Sequence, residues 1–206
     1  MIYKAYKFKL KPNREQENLI LRTIGSSRFV FNHFLSLWNK VYQETDKGLS
    51  YSKCSAKLPG LKVEFPWLKE VDSIALQASV KNLGDSFDHF FKKKNGYPNF
   101  KSKKYSNQAY TTKCTNDNIS ICGNYIKLPK LGLVKFAKSR EVEGKIIKAT
   151  IKRKPTGKYY VSIVCEVEIK LFEKTNQSVG IDLGLTNFAI LSSGEKIDNL
   201  HFSTEM

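Results

Sequence analysis

The sequence predicts an α+β fold: a small antiparallel β-barrel with a helical segment inserted into it, followed by a short acidic unit. Three patterns point there. Residues 2–10 and most of 109–168 alternate apolar and polar side chains with period two, the mark of half-buried strands. Residues 14–91 place apolar side chains at helical spacing. The charge balance changes sign near residue 176.

The first strand sets Ile2, Tyr6, Phe8 and Leu10 on one face with Lys4, and Lys7 and Lys9 on the other. Lys11-Pro12-Asn13 ends it. Asn13 is placed to cap a helix, with Gln16 at the capping-box position. A first helix is expected over about 14–24 and a second over about 28–45, separated by Gly25-Ser26-Ser27. Phe31, Phe34, Leu35, Trp38 and Val41 or Tyr42 form the second helix's apolar stripe. Two helices across a tight turn resemble a helix-turn-helix, although most such pairs are plain αα-hairpins. Residues 46–69, with Gly48, Pro59, Gly60 and Pro66, read as loop, tucked in by Trp67 and Leu68. A further helix starts near Asp72 or Ser73, with Leu76, Val80, Leu83, Phe87, Phe90 and Phe91 as its stripe.

Short strands with regular turns follow. Ile119, Ile121, Tyr125 and Ile126 lead to a turn at 128–132, and a strand covers 133–137. Ile147, Ala149 and Ile151 share one face of the next strand, with Lys148, Thr150 and Lys152 on the other. Pro155-Thr156-Gly157 turns the chain. Tyr159, Val161, Ile163, Cys165 and Val167 line the return strand. This spacing suggests a barrel that the strand at 2–10 joins.

The net charge is +16 and the pI about 9.6, a balance that points to nucleic acid or another anionic partner. Residues 177–206 carry −3, so residues 1–176 carry +19. The break at Lys174–Gln177 reads as a linker. The densest basic stretch is 92–105, with Lys92, Lys93, Lys94, Lys101, Lys103 and Lys104 and no acid. Tyr97, Phe100 and Tyr105 are interleaved among these lysines. Lysines neutralise phosphates and aromatic rings stack on unpaired bases. The candidate nucleic-acid contacts are therefore Lys7, Lys9, Lys92, Lys93, Lys94, Tyr97, Phe100, Lys101, Lys103, Lys104, Lys152, Arg153 and Lys154. Cys54, Cys114, Cys122 and Cys165 show no C-x-x-C spacing and no nearby His at zinc-finger spacing, so reduced thiols and no zinc are expected. With no signal peptide and no apolar run of membrane-spanning length, a cytoplasmic protein without a membrane partner is expected.

Val179–Ile190 reads as two buried strands. Val179, Ile181 and Leu183 share one face, and Asp182 stands between Gly180 and Gly184 on the other. Three readings fit: a plain hairpin, the phosphate hairpin of the actin and heat-shock ATPase fold, or the first catalytic strand of a RuvC-like (RNase H-fold) nuclease. In the last, Asp182 is both the catalytic residue and the metal ligand, one of several carboxylates needed around two cations.

The whole chain resembles the TnpB (OrfB) family of transposon-encoded proteins, relatives of the type V CRISPR effectors. The resemblance runs through Tyr6–Gln16, Arg28–Asn32, Leu76-Gln77 with Phe87 and Phe90-Phe91, Pro98–Lys103, Ile126–Gly132 and Val179–Gly184. It implies an RNA-guided DNA endonuclease with guide RNA and DNA as partners, Mg²⁺ as cofactor, and a prokaryotic source. The implied organisation is an oligonucleotide-binding-like barrel (1–12 and 106–174), an inserted recognition domain (13–105) and the opening of a RuvC domain (175–206). The family's remaining catalytic carboxylates and zinc ribbon match nothing here. The expectation is a truncated form that binds nucleic acid, holds Mg²⁺ poorly and does not cleave by itself. The alternatives are a repressor-like regulator, or one half of a split nuclease completed by a separate C-terminal half or a second copy.

Overall fold

The computed structural model describes residues 1–104, 107–168 and 178–200. The chain divides into two units, Met1–Glu168 and Ile169–Met206. The linker expected at 174–177 lies outside the described residues, as does Tyr105.

The first unit opens with β1 (Ile2–Lys11), whose Tyr6, Phe8 and Leu10 are buried as the alternation requires. Helix α1 follows at Arg14–Thr45. Its start is fixed by a reciprocal cap: Gln16 N donates to Asn13 Oδ1 (2.8 Å) and Asn13 N donates to Gln16 Oε1 (3.1 Å). Gln16 Nε2 also donates to the carbonyls of Leu131 and Leu133, which moors the helix to a distant turn of the sheet.

Two expectations on the helices are corrected. The first pair is one continuous helix of 32 residues. Gly25-Ser26-Ser27 does not break it, because the small Ser26 and Ser27 side chains let another helix come close. Ser26 and Ser27 are buried, and Ser79 Oγ donates to the Ser27 carbonyl. Packing there offsets the roughly 1 kcal/mol that a helical glycine costs. Residues 46–69 are also not loop. Helix α2 (Tyr51–Glu64) starts at the Ser50 cap and contains Pro59, and a 3₁₀ turn covers Pro66–Lys69. Leu58, Leu61 and Leu68 are buried, whereas Trp67 packs edge-on against Phe29 and Phe65. Helix α3 (Ser73–Phe91) begins where expected, with Asp72 Oδ1 accepting from Ile74 N (2.9 Å).

The helices share one core, built on Phe31, Phe34, Leu35, Leu76, Leu83 and Phe87. It also anchors the basic segment after α3. The Asn32 side chain donates to the Lys101 carbonyl and accepts from the Lys101 N–H, both at 2.8 Å. Tyr97 packs on Trp38, Phe87 and Phe90, and its hydroxyl donates to Asn39 Oδ1.

Six more strands complete the sheet: β2 (Ala109–Lys113), β3 (Ser120–Cys122), β4 (Tyr125–Leu128), β5 (Gly132–Phe136), β6 (Lys145–Arg153) and β7 (Tyr159–Val167). Their order is β2-β6-β7-β1-β5-β4-β3, and neighbours are antiparallel. The expected closed barrel is an open sheet. Its edges, β2 and β3, are consecutive in sequence but share no ladder. Asn116 and Asp117 take positive φ (50° and 54°) in the link between them, and β3 is only three residues long. One core lines the inner face, including Tyr6, Phe8, Ile126, Phe136, Ile151 and Ile163. Ile147 falls at a bulge in β6, so Ile146, opposite Cys165 and packed against the core, takes the inward position beside the buried Ala149 and Ile151.

In the second unit, β8 (Ile181–Asp182), β9 (Asn187–Leu191) and β10 (Lys196–Asp198) form an antiparallel sheet. The strands expected to be buried are not. Val179 is 57% exposed, Ile181 60% and Leu183 69%, since three short strands offer little to cover them.

Two outcomes are expected from this packing. Gln16→Ala should lower unfolding free energy by about 1–2 kcal/mol in urea denaturation, because it removes a cap and two long-range hydrogen bonds. Burial holds the Lys101 ammonium below its usual range, so the folded state sheds this proton before the unfolded chain does. Wild-type stability relative to Lys101→Met should therefore rise as pH climbs from neutrality toward 10.5, and denaturation at pH 7 and pH 10 would read the difference.

Candidate nucleic-acid interface

Strand register decides which side chains meet on the solvent face of the seven-stranded sheet. Directly opposed residues of an antiparallel pair point to the same side. Lys9 is opposed by Tyr160, and Tyr160 by Lys152. Lys7 is opposed by Ser162, then Thr150 and Thr111 follow in the same row. In the next row stand Ala5, Val164, Lys148 and Lys113. On the other flank Lys11 faces Lys135, Lys135 faces Tyr125, and Leu133 faces Lys127. The outer face thus gathers Lys7, Lys9, Lys11, Lys113, Lys127, Lys135, Lys148 and Lys152, with Tyr125 and Tyr160 between them. These rows hold no carboxylate, and the Lys7 ammonium lies 5.4 Å from the Tyr160 ring centre. Glu166, opposite Lys145, is the first acid beyond them.

Lys7, Lys9 and Lys152 were legible as candidates. Lys11, Lys113, Lys127, Lys135 and Lys148 were missed. The signal for them was the period-two alternation itself, since each stands next to a buried apolar or small residue in its strand.

The basic segment at 92–104 divides into parts. Lys92, Lys93 and Lys94 are exposed beyond the end of α3, with Lys93 at φ 53°. Phe100 is exposed as well. Lys101 turns inward, with its Nζ 3.8 Å from the Phe31 ring centre, a cation–π contact within the protein. Tyr97 packs one side of its ring on Trp38, Phe87 and Phe90 and stays 42% exposed. Lys101 and Arg28 line a cleft of about 420 Å³ with Asn82, Asn107, Tyr110 and Thr111.

A second cleft, also about 420 Å³, joins five of the candidates: Lys103, Lys104, Lys152, Arg153 and Lys154, with Asn107, Gln108 and Pro155. Its walls come from stretches some 50 residues apart in sequence and are tied by backbone and side chain. Arg153 N donates to the Gln108 carbonyl (2.8 Å), Gln108 Nε2 to the Lys103 carbonyl (2.8 Å), and Lys152 Nζ to Asn107 Oδ1 (3.0 Å).

Asp182 is exposed on β8. In its row Ile190 comes next and Lys196 after that, so a cation rather than a carboxylate shares its face. Among the described residues no three His, Cys, Asp or Glu side chains gather closely enough to hold a metal ion. The described residues therefore do not fit a site for two divalent cations. No helix is long and apolar enough to cross a membrane among the described residues.

Residues 1–47 match a helix-turn-helix domain family model, that of IS605-type OrfB proteins. Over 92% of its length the chain is 35% identical to a protein of Escherichia coli K12 named "Putative RNA-guided DNA endonuclease InsQ", covering 47% of it. Over 96% of its length it is 30% identical to a Streptomyces pristinaespiralis protein named "Putative RNA-guided DNA endonuclease", covering 50% of it. A Salmonella dublin protein named "Virulence protein VsdF" is 33% identical over 48% of the chain and 93% of its own length. The chain spans about half the length of the first two relatives. A match that begins at β1 and extends past Glu168, at this identity, joins the strand, helices and sheet into one inherited unit: the chain belongs to the TnpB (OrfB) family of transposon-encoded proteins.

Proposed function

We propose that these residues are the nucleic-acid-gripping part of a TnpB-like RNA-guided DNA endonuclease, with guide RNA and target DNA as partners. The observation that carries this reading is the outer face of the sheet, where eight lysines and two tyrosines stand in register without a carboxylate. Cations at strand spacing, about 7 Å along a strand and 4.8 Å across, can track a sugar–phosphate backbone, and the tyrosines offer faces for stacking. In this reading the sheet is the oligonucleotide-binding-like part, from 1–12 and 106–174. Helices α1–α3 and the basic segment, 13–105, are the recognition part. Residues 175–206 are the opening strands of an RNase H-like (RuvC) unit.

Binding, not cleavage, is the activity assigned to these residues. Asp182 has Lys196 on its face and no carboxylate in its row, so it lacks the neighbours that would hold a pair of cations for cleavage. Supercoiled plasmid incubated with the purified 206-residue polypeptide and Mg²⁺ should stay intact, and Asp182→Ala should behave identically. Nicking lost in the variant would refute the assignment.

Binding of a structured RNA should weaken steeply with salt. Each lysine removed in a Lys7→Gln, Lys9→Gln, Lys148→Gln series should reduce the slope of log affinity against log salt by roughly 0.7–0.9. A slope that is flat from the outset would overturn the reading.

A further inference from the structure

The two basic surfaces differ in geometry. On the sheet the lysines are spread out at strand spacing. In the cleft between the basic segment and β6, five cations line about 420 Å³ with no carboxylate among them. An internal phosphodiester brings one negative charge, whereas a terminal phosphate brings about −1.5 to −2, and a triphosphate more. Concentrated positive charge in a concave site therefore favours a chain end over a passing backbone.

The cleft is also built before any ligand arrives. Gln108 bridges its walls, accepting from Arg153 N and donating to the Lys103 carbonyl. The tight turn after β6, closed by Lys154 N to Lys158 O (2.8 Å) and Gly157 N to Lys154 O (3.0 Å), fixes where Lys154 starts.

We infer that this cleft holds the phosphorylated 5′ end of a nucleic-acid strand, with Lys103, Lys104, Lys152 and Lys154 around the terminal phosphates and Arg153 donating to them. This rests on the nucleic-acid-binding reading above and names the part of the strand that the cleft takes.

The test uses one short RNA in three forms, with a 5′-triphosphate, a 5′-monophosphate or a 5′-hydroxyl, titrated against the full chain. Charge-assisted hydrogen bonds to the end should give the triphosphate about tenfold tighter binding than the hydroxyl, with the monophosphate between them. The triphosphate-to-hydroxyl ratio should collapse toward one in Lys103→Gln/Lys154→Gln. Lys7→Gln/Lys9→Gln should weaken all three RNAs by the same factor and leave the ratio standing. Equal affinities in the wild type would overturn the inference and leave the nucleic-acid reading intact. A preference that survives Lys103→Gln/Lys154→Gln would place the end elsewhere and also overturn it. If none of the three RNAs binds, both fall together.

Discussion

Everything in the first unit depends on the register of β1 against β7. Tyr6 lies opposite Ile163 and Phe8 opposite Val161, which sets two aromatic rings into the core. The same pairing turns Lys7 and Lys9 to the solvent beside Ser162 and Tyr160. Side chains alternate with period two, so a slip of one residue would exchange these sets and drive ammonium groups into an apolar interior. The hydrophobic requirement of one face thus fixes the electrostatics of the other. The cationic surface is the reverse side of the core.

That coupling explains what was legible in the sequence. Alternation at 2–10, 147–152 and 159–167 pointed to strands and to Lys7, Lys9 and Lys152, although the bulge at Ile147 was not visible in it, because half-buried strands write their environment into adjacent residues. Closure was not legible. It depends on whether two edges meet, and the left-handed turn at Asn116-Asp117 takes the link out of the ladder. Nor was the continuity of α1. Gly25, Ser26 and Ser27 are poor helix formers by propensity, and the approach of α3 to the buried Ser26 and Ser27 keeps the stretch helical. Helix α2 was hidden by Gly60 and Pro59, although its Leu58 and Leu61 are core residues. At the candidate interface, composition identified the lysines at 92–104 but not their directions. Asn32 and Phe31, some 70 residues earlier, decide that Lys101 faces inward.

The second unit inverts the logic of the first. Its apolar side chains, Leu185 at 88% exposed among them, remain open, and Asp182 shares its row with Lys196 rather than with another carboxylate. In the Escherichia coli and Streptomyces pristinaespiralis relatives, roughly as much sequence again accompanies the matched part. The two units therefore contribute differently to the proposed function: the first presents a charged surface over its own core, and the second, among its described residues, holds Asp182, Glu195 and Asp198 without gathering them as two-cation chemistry requires.

The centre of the sheet is its oldest part on the ribosome. β1 emerges first, yet its partners are β7, with Ile2 opposite Val167, and β5 at Lys135 and Phe136. Until those strands are synthesised, a ten-residue strand with three large apolar side chains has nowhere to pair. Meanwhile α1, α2 and α3 can condense on one another through contacts nearer in sequence. Helices first and sheet last is the assembly order that this topology favours, with the long-range strand pairing as the slow and aggregation-prone step.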